Sequence, residues 1–593
     1  MRETNLDALL VYIETAFSGW HFSRRPQLGL YYLAQHATDF GFKVLVDNLS
    51  SNDNLVERIT RLLNEYSCKL VGFYVDQENL WDIRRILGGI KEKIPDVNII
   101  IGGPQFTADP EGTMEKLPQV NFGVIGEGEE TFVEFLSVPA RNLDELKKCR
   151  GLLLRTFDGY LYTKPRPLIA PLDKLSIPRR QELTVDGKYN FSPMMITGRG
   201  CVGHCAFCYE GRKSKHAKRL RSHSVERILA EFAYLAEEFQ KNYIVILDDT
   251  FVTNTEHLKK FCCGLIERYK GEVKWFCEAR IDTLAKNPEL IPLMIEAGLI
   301  RMQVGGESGS QEILDIYQKG ITVGQIFEVV EAAKKYGLLS MYINFIIGGA
   351  WETMATYEAT LKTALELLTV GPGCIAVGSS LYTPYPGTPM SENPGRFGIQ
   401  IVDNEVVTGM GDKHAFCRTK SLSRFEILAL RYNFEKAAAQ KMKELSVRLA
   451  PEIIKKHFEA FYQWNLATEW YEILSENTII HNYFRSLLKS SAKDFNAAAI
   501  NNFTGMYPLR CVDLVSSKDD KFLIRAYDGT IWELDALENM ILELSAGKLS
   551  FDDILEIISA YTPNQNKDDL RDIMVQKYHQ FDEDYLIIWK SNN

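Results

Sequence analysis

The stretch 196-ITGRGCVGHCAFCYEG-211 places Cys201, Cys205 and Cys208 in a C-x3-C-x2-C spacing inside a glycine-rich loop. It follows directly on PMMIT, a short apolar run that reads as a buried strand. A loop at a strand's C-terminal end is the usual place for a barrel's active site. Thiolates at this density select zinc or an iron–sulfur cluster, and three of them do not complete the four-thiolate set of a structural site, so one metal position stays open. The spacing also fits a zinc knuckle completed by His204 or His216, or three unrelated buried cysteines.

Outward from this loop, between about residues 190 and 390, short apolar strands alternate with amphipathic helices, the pattern of βα units around a parallel sheet. Each strand ends in residues with chemical content. YIVILDDTF ends on Asp248 and Asp249, WFCEARID on Glu278 and Arg280, and MQVGGESGS on Gly305, Gly306, Glu307 and Ser308; INFIIGGAWET, with Gly348, and LYTPYPGTPM close the series. Taken singly, Asp249 could cap the next helix, Arg280 could pair with Glu278, and the glycines could serve turns alone.

The cysteine spacing, with aromatic Phe207 before the last cysteine, resembles the signature of the radical S-adenosylmethionine (SAM) superfamily. The strand-end motifs resemble, in the same order, those of the class that holds methylthiotransferases and cobalamin-dependent methylases. The resemblance implies a four-iron, four-sulfur cluster on Cys201, Cys205 and Cys208, with the open iron chelated by SAM. It also implies a SAM pocket of Phe207, Asp248, Asp249, Arg280, Gly305, Glu307, Ser308 and Gly348. Asp248 or Asp249 would meet the methionine ammonium, and Glu307 a ribose hydroxyl or the ammonium. The chain departs from the common form at GGAWET, where Ala350 and Trp351 replace a proline and a small residue.

Before the barrel, residues 7–14, 26-PQLGLYYLAQHATDFGFKVLVDN-48, 69-KLVGFYV-75, VNIIIGGPQ and FGVIGEGEETFVEFL alternate strand and helix in a doubly wound α/β pattern, whose crevice lies beyond the carboxyl ends of its strands. The order R-P-x-L-G-L, IIIGGPQ, VIGEGEETF resembles the cobalamin-binding domain that precedes many radical SAM cores. That implies contacts from Tyr74, Asp76, Gly102, Gly103, Pro104, Gly126, Glu127 and Gly128. The D-x-H-x-x-G motif that supplies an axial histidine is absent. A Rossmann-like domain that binds no cofactor is the alternative.

Residues 420–500 have helical spacing without a motif, and His457, Trp464, Trp470 and His481 receive no role. The last segment reads as strands RCVDLV, FLIRAY and TIWEL, a turn at 528-DG-529, three short helices and a terminal YLIIW strand. This winged-helix pattern resembles the peptide-recognition domain of the pyrroloquinoline-quinone chaperone family, which implies a leader peptide added as an edge strand. DNA binding fits poorly, because Asp552, Asp553 and Glu556 repel phosphate; a dimerisation or capping module also fits.

The expected fold class is α/β multidomain: a Rossmann-like doubly wound domain at 1–145, a linker at 146–188, a partial (β/α)6 TIM-type radical SAM core at 189–395, a helical bridge or lid at 396–505 and a winged-helix domain at 506–593. A chain of 593 residues exceeds a single core. A net charge of −10 argues against general nucleic-acid affinity, and no apolar run reaches membrane length. Eleven scattered cysteines and no signal-peptide pattern suggest a reducing, cytoplasmic setting. The reading is a radical SAM enzyme with a cluster, SAM and cobalamin that modifies a ribosomally made precursor peptide, transferring methyl to an unactivated carbon. The resemblance implies an electron donor such as a flavodoxin or ferredoxin, and no membrane partner. The rival readings are peptide epimerisation, crosslinking or rearrangement, a tRNA methylthiotransferase and a zinc-knuckle binding protein. The methylthiotransferase needs three further cysteines where only Cys68 and Cys149 lie.

Overall fold

The computed structural model describes residues 5–14, 26–51, 53–211, 215, 219–239, 242–403, 414–489, 503, 506–512, 515–516, 522–525 and 531–591. His216 and the 528-DG-529 turn lie outside them. The chain divides into two compact units, residues 1–367 with 377–436, and residues 368–376 with 437–593.

The first unit opens with strands β1 (Ala8–Glu14), β2 (Val44–Ser50), β3 (Leu70–Tyr74), β4 (Asn98–Gly102), β5 (Phe122–Val124), β6 (Leu152–Thr156) and β7 (Gly159–Tyr162) in the order β2-β1-β3-β4-β5-β6-β7. β1 to β5 run parallel, and their side chains alternate between two cores. Leu9, Val11, Ile99 and Ile101 pack with Ile59, Ile83 and Leu87 on one face; Ala8, Leu10, Val46 and Ile100 pack with Tyr31, Ala34 and Phe132 on the other. Burial on both faces explains why these strands are near-continuous apolar runs. The order reverses between β1 and β3, which puts the ligand crevice beyond their carboxyl ends. The expected linker at 146–188 is corrected in part. β6 and β7 lie within it and extend the sheet by antiparallel pairing, a role that two short strands after a helix do not announce in sequence.

The barrel strands are Met194–Met195, Tyr243–Ile246, Lys274–Ala279, Leu299–Glu307, Ser340–Ile347 and Ile375–Leu381, ordered in the sheet as in the chain. Helices return the chain between them, with Ser224, Asn254 and Thr322 capping Val225–Glu238, Thr255–Tyr269 and Val323–Tyr336 through their side chains. All the strand-end motifs therefore gather at one rim. Between the first strand and its helix, Gly198–Arg199 pairs antiparallel with Arg221–Ser222, forming the stem of the cysteine loop.

In the second unit, buried His457 lies 2.7 Å from both Thr468 Oγ1 and Gly373 O, and the Trp470 indole N–H donates to Ile375 O, so both serve packing. Toward the C-terminus, Met506–Arg510 pairs antiparallel with Ile587–Ser591, and Val515–Ser516, Phe522–Arg525 and Ile531–Leu534 form a separate three-stranded sheet. The run expected as one strand, RCVDLV, is divided between those two sheets. Helices Ala536–Leu544, Phe551–Tyr561 and Lys567–Glu583 bury Ile541, Phe551, Ile558, Met574 and Tyr578 with Trp589 in one core. Among the described residues no helix is long and apolar enough to cross a membrane.

Candidate active site

The cysteine loop leaves its strand through Thr197, and Asp248 holds that exit. Its carboxylate accepts from the Thr197 amide at 2.6 Å and from the Thr197 hydroxyl. Burial pushes the Asp248 carboxyl up to about 7. Both carboxylate oxygens are engaged by the loop's own stem. Asp249, the next residue, is exposed at the strand end and within electrostatic reach of Cys201, Cys208 and Tyr74.

Inside the loop, the Cys208 amide donates to Cys205 O and the Gly211 amide to Cys208 O. A Cβ on Gly211 would lie 2.3 Å from Cys205 O, so the turn requires glycine. The Ala206 amide donates to Tyr317 O, and the Phe207 ring meets Tyr317 edge-on at 5.2 Å. Phe207 is half-buried and packs against the core beneath the loop. His204, the candidate fourth zinc ligand, is exposed.

Two cations flank the thiols. Arg280 donates to Asp282 and to Lys319 O, both at 2.9 Å, and its Nη1 lies 4.0 Å from Cys205 Sγ. Its carboxylate partner is therefore Asp282. Gly203 leaves room for the guanidinium, since a Cβ there would stand 2.5 Å from Nη1. Lys319 donates to Glu307 Oε1 at 2.5 Å, both side chains being buried, and Gly305 accommodates the pair because a Cβ would collide with each. Glu307 itself holds φ +59°. Sequence reading missed Lys319, a lone lysine before a glycine at a helix end. Ser308 meets Thr360 Oγ1 at 3.1 Å and accepts from the Ser310 amide, and the Gly348 amide donates to Glu352 at 2.5 Å; both shape turns. At the departure from the family pattern, Trp351 adopts φ +53°, with its ring under the Lys420 ammonium at 4.3 Å.

Burial raises the Cys201 and Cys208 thiols, Cys208 to about 12, so iron has to displace protons from these two. Each thiol lies within electrostatic reach of the others, and Arg280 and Lys319 offset the charge that three thiolates bring. Among the described residues no three His, Cys, Asp or Glu side chains gather closely enough to share one ion. A cluster with each cysteine on its own iron does not require that, and this donor set fits one.

On the crevice side, Tyr74 packs edge-on against Tyr12 and lies near Tyr209 and Asp249, which brings the end of β3 to the cysteine loop. Asp76 accepts from the Glu78 and Asn79 amides and so starts the following helix, rather than pointing a free carboxylate at a ligand. Gly103 at φ +104° is required by the protein itself, because a Cβ would stand 2.6 Å from Val75 O; Pro104 is the first residue of the next short helix. Gly128 touches Leu33 and Val124, and Gly102 contacts Val124. The Glu127 carboxylate pairs with Arg199 and Arg221 of the barrel. Gly126, at φ +80° with nothing within 4 Å of where its Cβ would be, is exposed at the crevice, its amide donating to Thr107 Oγ1 at 3.0 Å.

Residues 23–136 match the B12 binding domain and residues 195–364 the Radical SAM superfamily. An uncharacterized methyltransferase of Pyrococcus horikoshii is 33% identical over 374 residues, covering 62% of this chain and 78% of that protein. The chain belongs to the radical SAM family that carries an N-terminal B12-binding domain. Its cofactors are a four-iron, four-sulfur cluster, SAM and cobalamin. In this B12-binding radical SAM enzyme the two domains are consecutive. The anaerobic magnesium-protoporphyrin IX monomethyl ester cyclase of Rubrivivax gelatinosus is 26% identical over 415 residues, covering 68% of this chain and 72% of that one. The cobalamin-dependent SAM radical enzyme OxsB, solved with aqua-cobalamin and SAM bound, superposes at a TM-score of 0.56 with 16% identity, over 83% of this chain and 74% of that one, a likeness of fold.

Proposed function

We propose that this enzyme transfers a methyl group to an unactivated carbon of a ribosomally made peptide. The observation that carries the methyl-transfer reading is the meeting of Tyr74, at the end of β3, with Tyr209 and Asp249 of the barrel rim. The crevice of one sheet thereby opens on the loop of the other. An inert C–H bond offers neither a proton acceptor's target nor a leaving group, so acid–base groups alone do not suffice. When bound, the cluster and SAM supply a hydrogen-abstracting adenosyl radical, and cobalamin supplies the methyl group. The chain's residues bind and orient: Asp248 fixes the loop stem, Arg280 and Lys319 balance its charge, and Gly126 admits the corrin. The Pyrococcus relative, described as a methyltransferase, supports the reaction class.

A peptide substrate is supported by the C-terminal domain. Ile531–Leu534 is the edge of its three-stranded sheet, and Ile531 on it is 63% exposed. An extended leader can satisfy such an edge through backbone hydrogen bonds. The Rubrivivax relative, a cyclase whose name specifies a porphyrin ester, favours a second reading, ring closure or rearrangement of a small molecule. Anaerobic reaction with SAM and precursor peptide, followed by mass spectrometry, separates the two. The expected product carries one added methyl, and removing residues 506–593 should raise the peptide concentration needed while SAM cleavage without peptide persists. Cobalamin uptake with no peptide binding and unchanged turnover of the truncated enzyme would reject the peptide reading.

A further inference from the structure

We propose that Glu127 and Glu129 form a positioning clamp that sets the geometry between cobalamin and the iron–sulfur cluster. The stem of the cysteine loop pairs Arg199 directly with Arg221 across two antiparallel strands. Like charges at directly opposed positions destabilise a ladder, so this stem needs anions from elsewhere. They come from the N-terminal domain. Glu127 Oε1 lies 2.5 Å from Arg221 Nη2 and 3.4 Å from Arg199 Nη1, and Oε2 accepts from Arg221 Nη1 at 3.0 Å and from the Ile169 amide at 2.8 Å. Glu129 Oε1 accepts from Arg199 Nη2 at 2.5 Å. The carboxylates are 4% and 5% exposed, and the guanidiniums 16% and 12%, so solvent scarcely screens the network. Burial alone would raise the Glu127 carboxyl, but the Arg221 hydrogen bonds and the Arg199 charge hold it below the ordinary range.

Position turns this ion network into a device. Arg199 stands two residues before Cys201, and Arg221 closes the stem after Cys208. Glu127 lies between Gly126, the open backbone of the cobalamin crevice, and Gly128. One loop thus borders one cofactor and grips the stem that carries the other. A shift of either cofactor's loop relative to the other would pull buried charges apart, which is costly because no water replaces the lost partner.

The inference rests on cobalamin and the cluster both binding, as stated above, and on no particular substrate. The test reads the dipolar coupling between cob(II)alamin and the one-electron-reduced cluster by electron paramagnetic resonance, in full-length protein loaded with both. In Glu127→Gln, which keeps an acceptor for the Ile169 amide, iron and cobalamin content should match the wild type while the coupling distribution broadens and its resolved maximum is lost. Arg221→Lys keeps the charge but loses the paired contact; it should broaden the distribution less, and it carries the test if Glu127→Gln does not hold both cofactors. Asp173→Asn, which weakens the adjoining His223 and Ser224 contacts without touching the clamp, should leave the coupling unchanged. Wild-type coupling in both clamp variants would overturn the proposal. Wild-type protein that takes up no cobalamin, seen in its absorption spectrum beforehand, would remove the cofactor reading and the clamp's role with it.

Discussion

Lys319 Nζ donates to Glu307 Oε1 at 2.5 Å beside the cluster cysteines, and both side chains are buried. Removing one partner of such a pair leaves an uncompensated buried charge. Lys319→Met should therefore destabilise the barrel by about 3–5 kcal/mol. The double variant Glu307→Gln with Lys319→Met should recover most of that loss. Urea unfolding followed by tryptophan fluorescence measures both. Equal losses in the single and double variants would show that packing, not charge balance, makes Lys319 necessary.

Reconstituted protein should bind about four irons per chain, because three cysteines hold three irons and leave the fourth for SAM. Replacing Cys201, Cys205 and Cys208 together by alanine should abolish iron binding and 5′-deoxyadenosine formation. Iron and sulfide analysis with chromatography of the nucleoside products decides this. Cleavage that survives at the wild-type rate would contradict the ligand assignment.

The glycines of the crevice separate into two kinds. Gly103→Val should fail through misfolding of the β3–β4 edge, because its Cβ would strike Val75 O, whereas Gly126 faces open space. Gly126→Val should keep secondary structure yet lose cobalamin uptake, at a backbone cost of about 1–2 kcal/mol for the positive φ. Gly159, with φ +125° and open surroundings in the β6–β7 hairpin, supplies the control: Gly159→Ala should retain full cobalamin. Absorbance titration distinguishes them, and undiminished uptake by Gly126→Val would move the crevice elsewhere.

Burial raises the Asp248 carboxyl from 3.8 to about 7, so near neutrality the folded state holds a proton that the unfolded chain has released. The stability this contributes is complete below the unfolded value and is lost as pH rises through about 7. Asp248→Asn keeps an oxygen for the Thr197 amide and does not titrate. Between pH about 6 and about 8 the wild-type melting midpoint should fall more than that of the variant. Parallel profiles would show that Asp248 is already ionised at the lower pH.

The parallel sheets were legible because burial on two faces demands the apolar runs seen at β1, β3 and β4, and the cysteine loop because metal chemistry demands close thiols in one short segment. Those signals are local. β6 and β7 were hidden in an expected linker, since their role comes from β6 pairing with β5 and β7 with β6, partners that short strands do not specify.

What the sequence by itself determined was the order of the B12-binding and radical SAM domains, the close spacing of three cysteines and the rim on which the strand-end residues gather, all consequences of patterning along the chain. Only the tertiary structure decided which of those residues are engaged by the protein's own groups. Asp248 and Asp249 are adjacent just past a strand end, yet one is buried on Thr197 and the other is exposed within electrostatic reach of the cysteine loop. Glu127 looked like a crevice residue until Arg199 and Arg221, 72 and 94 residues away in the chain, were found to occupy its carboxylate. A carboxylate's role is set by the charge that reaches it through space, and sequence separation carries no record of that.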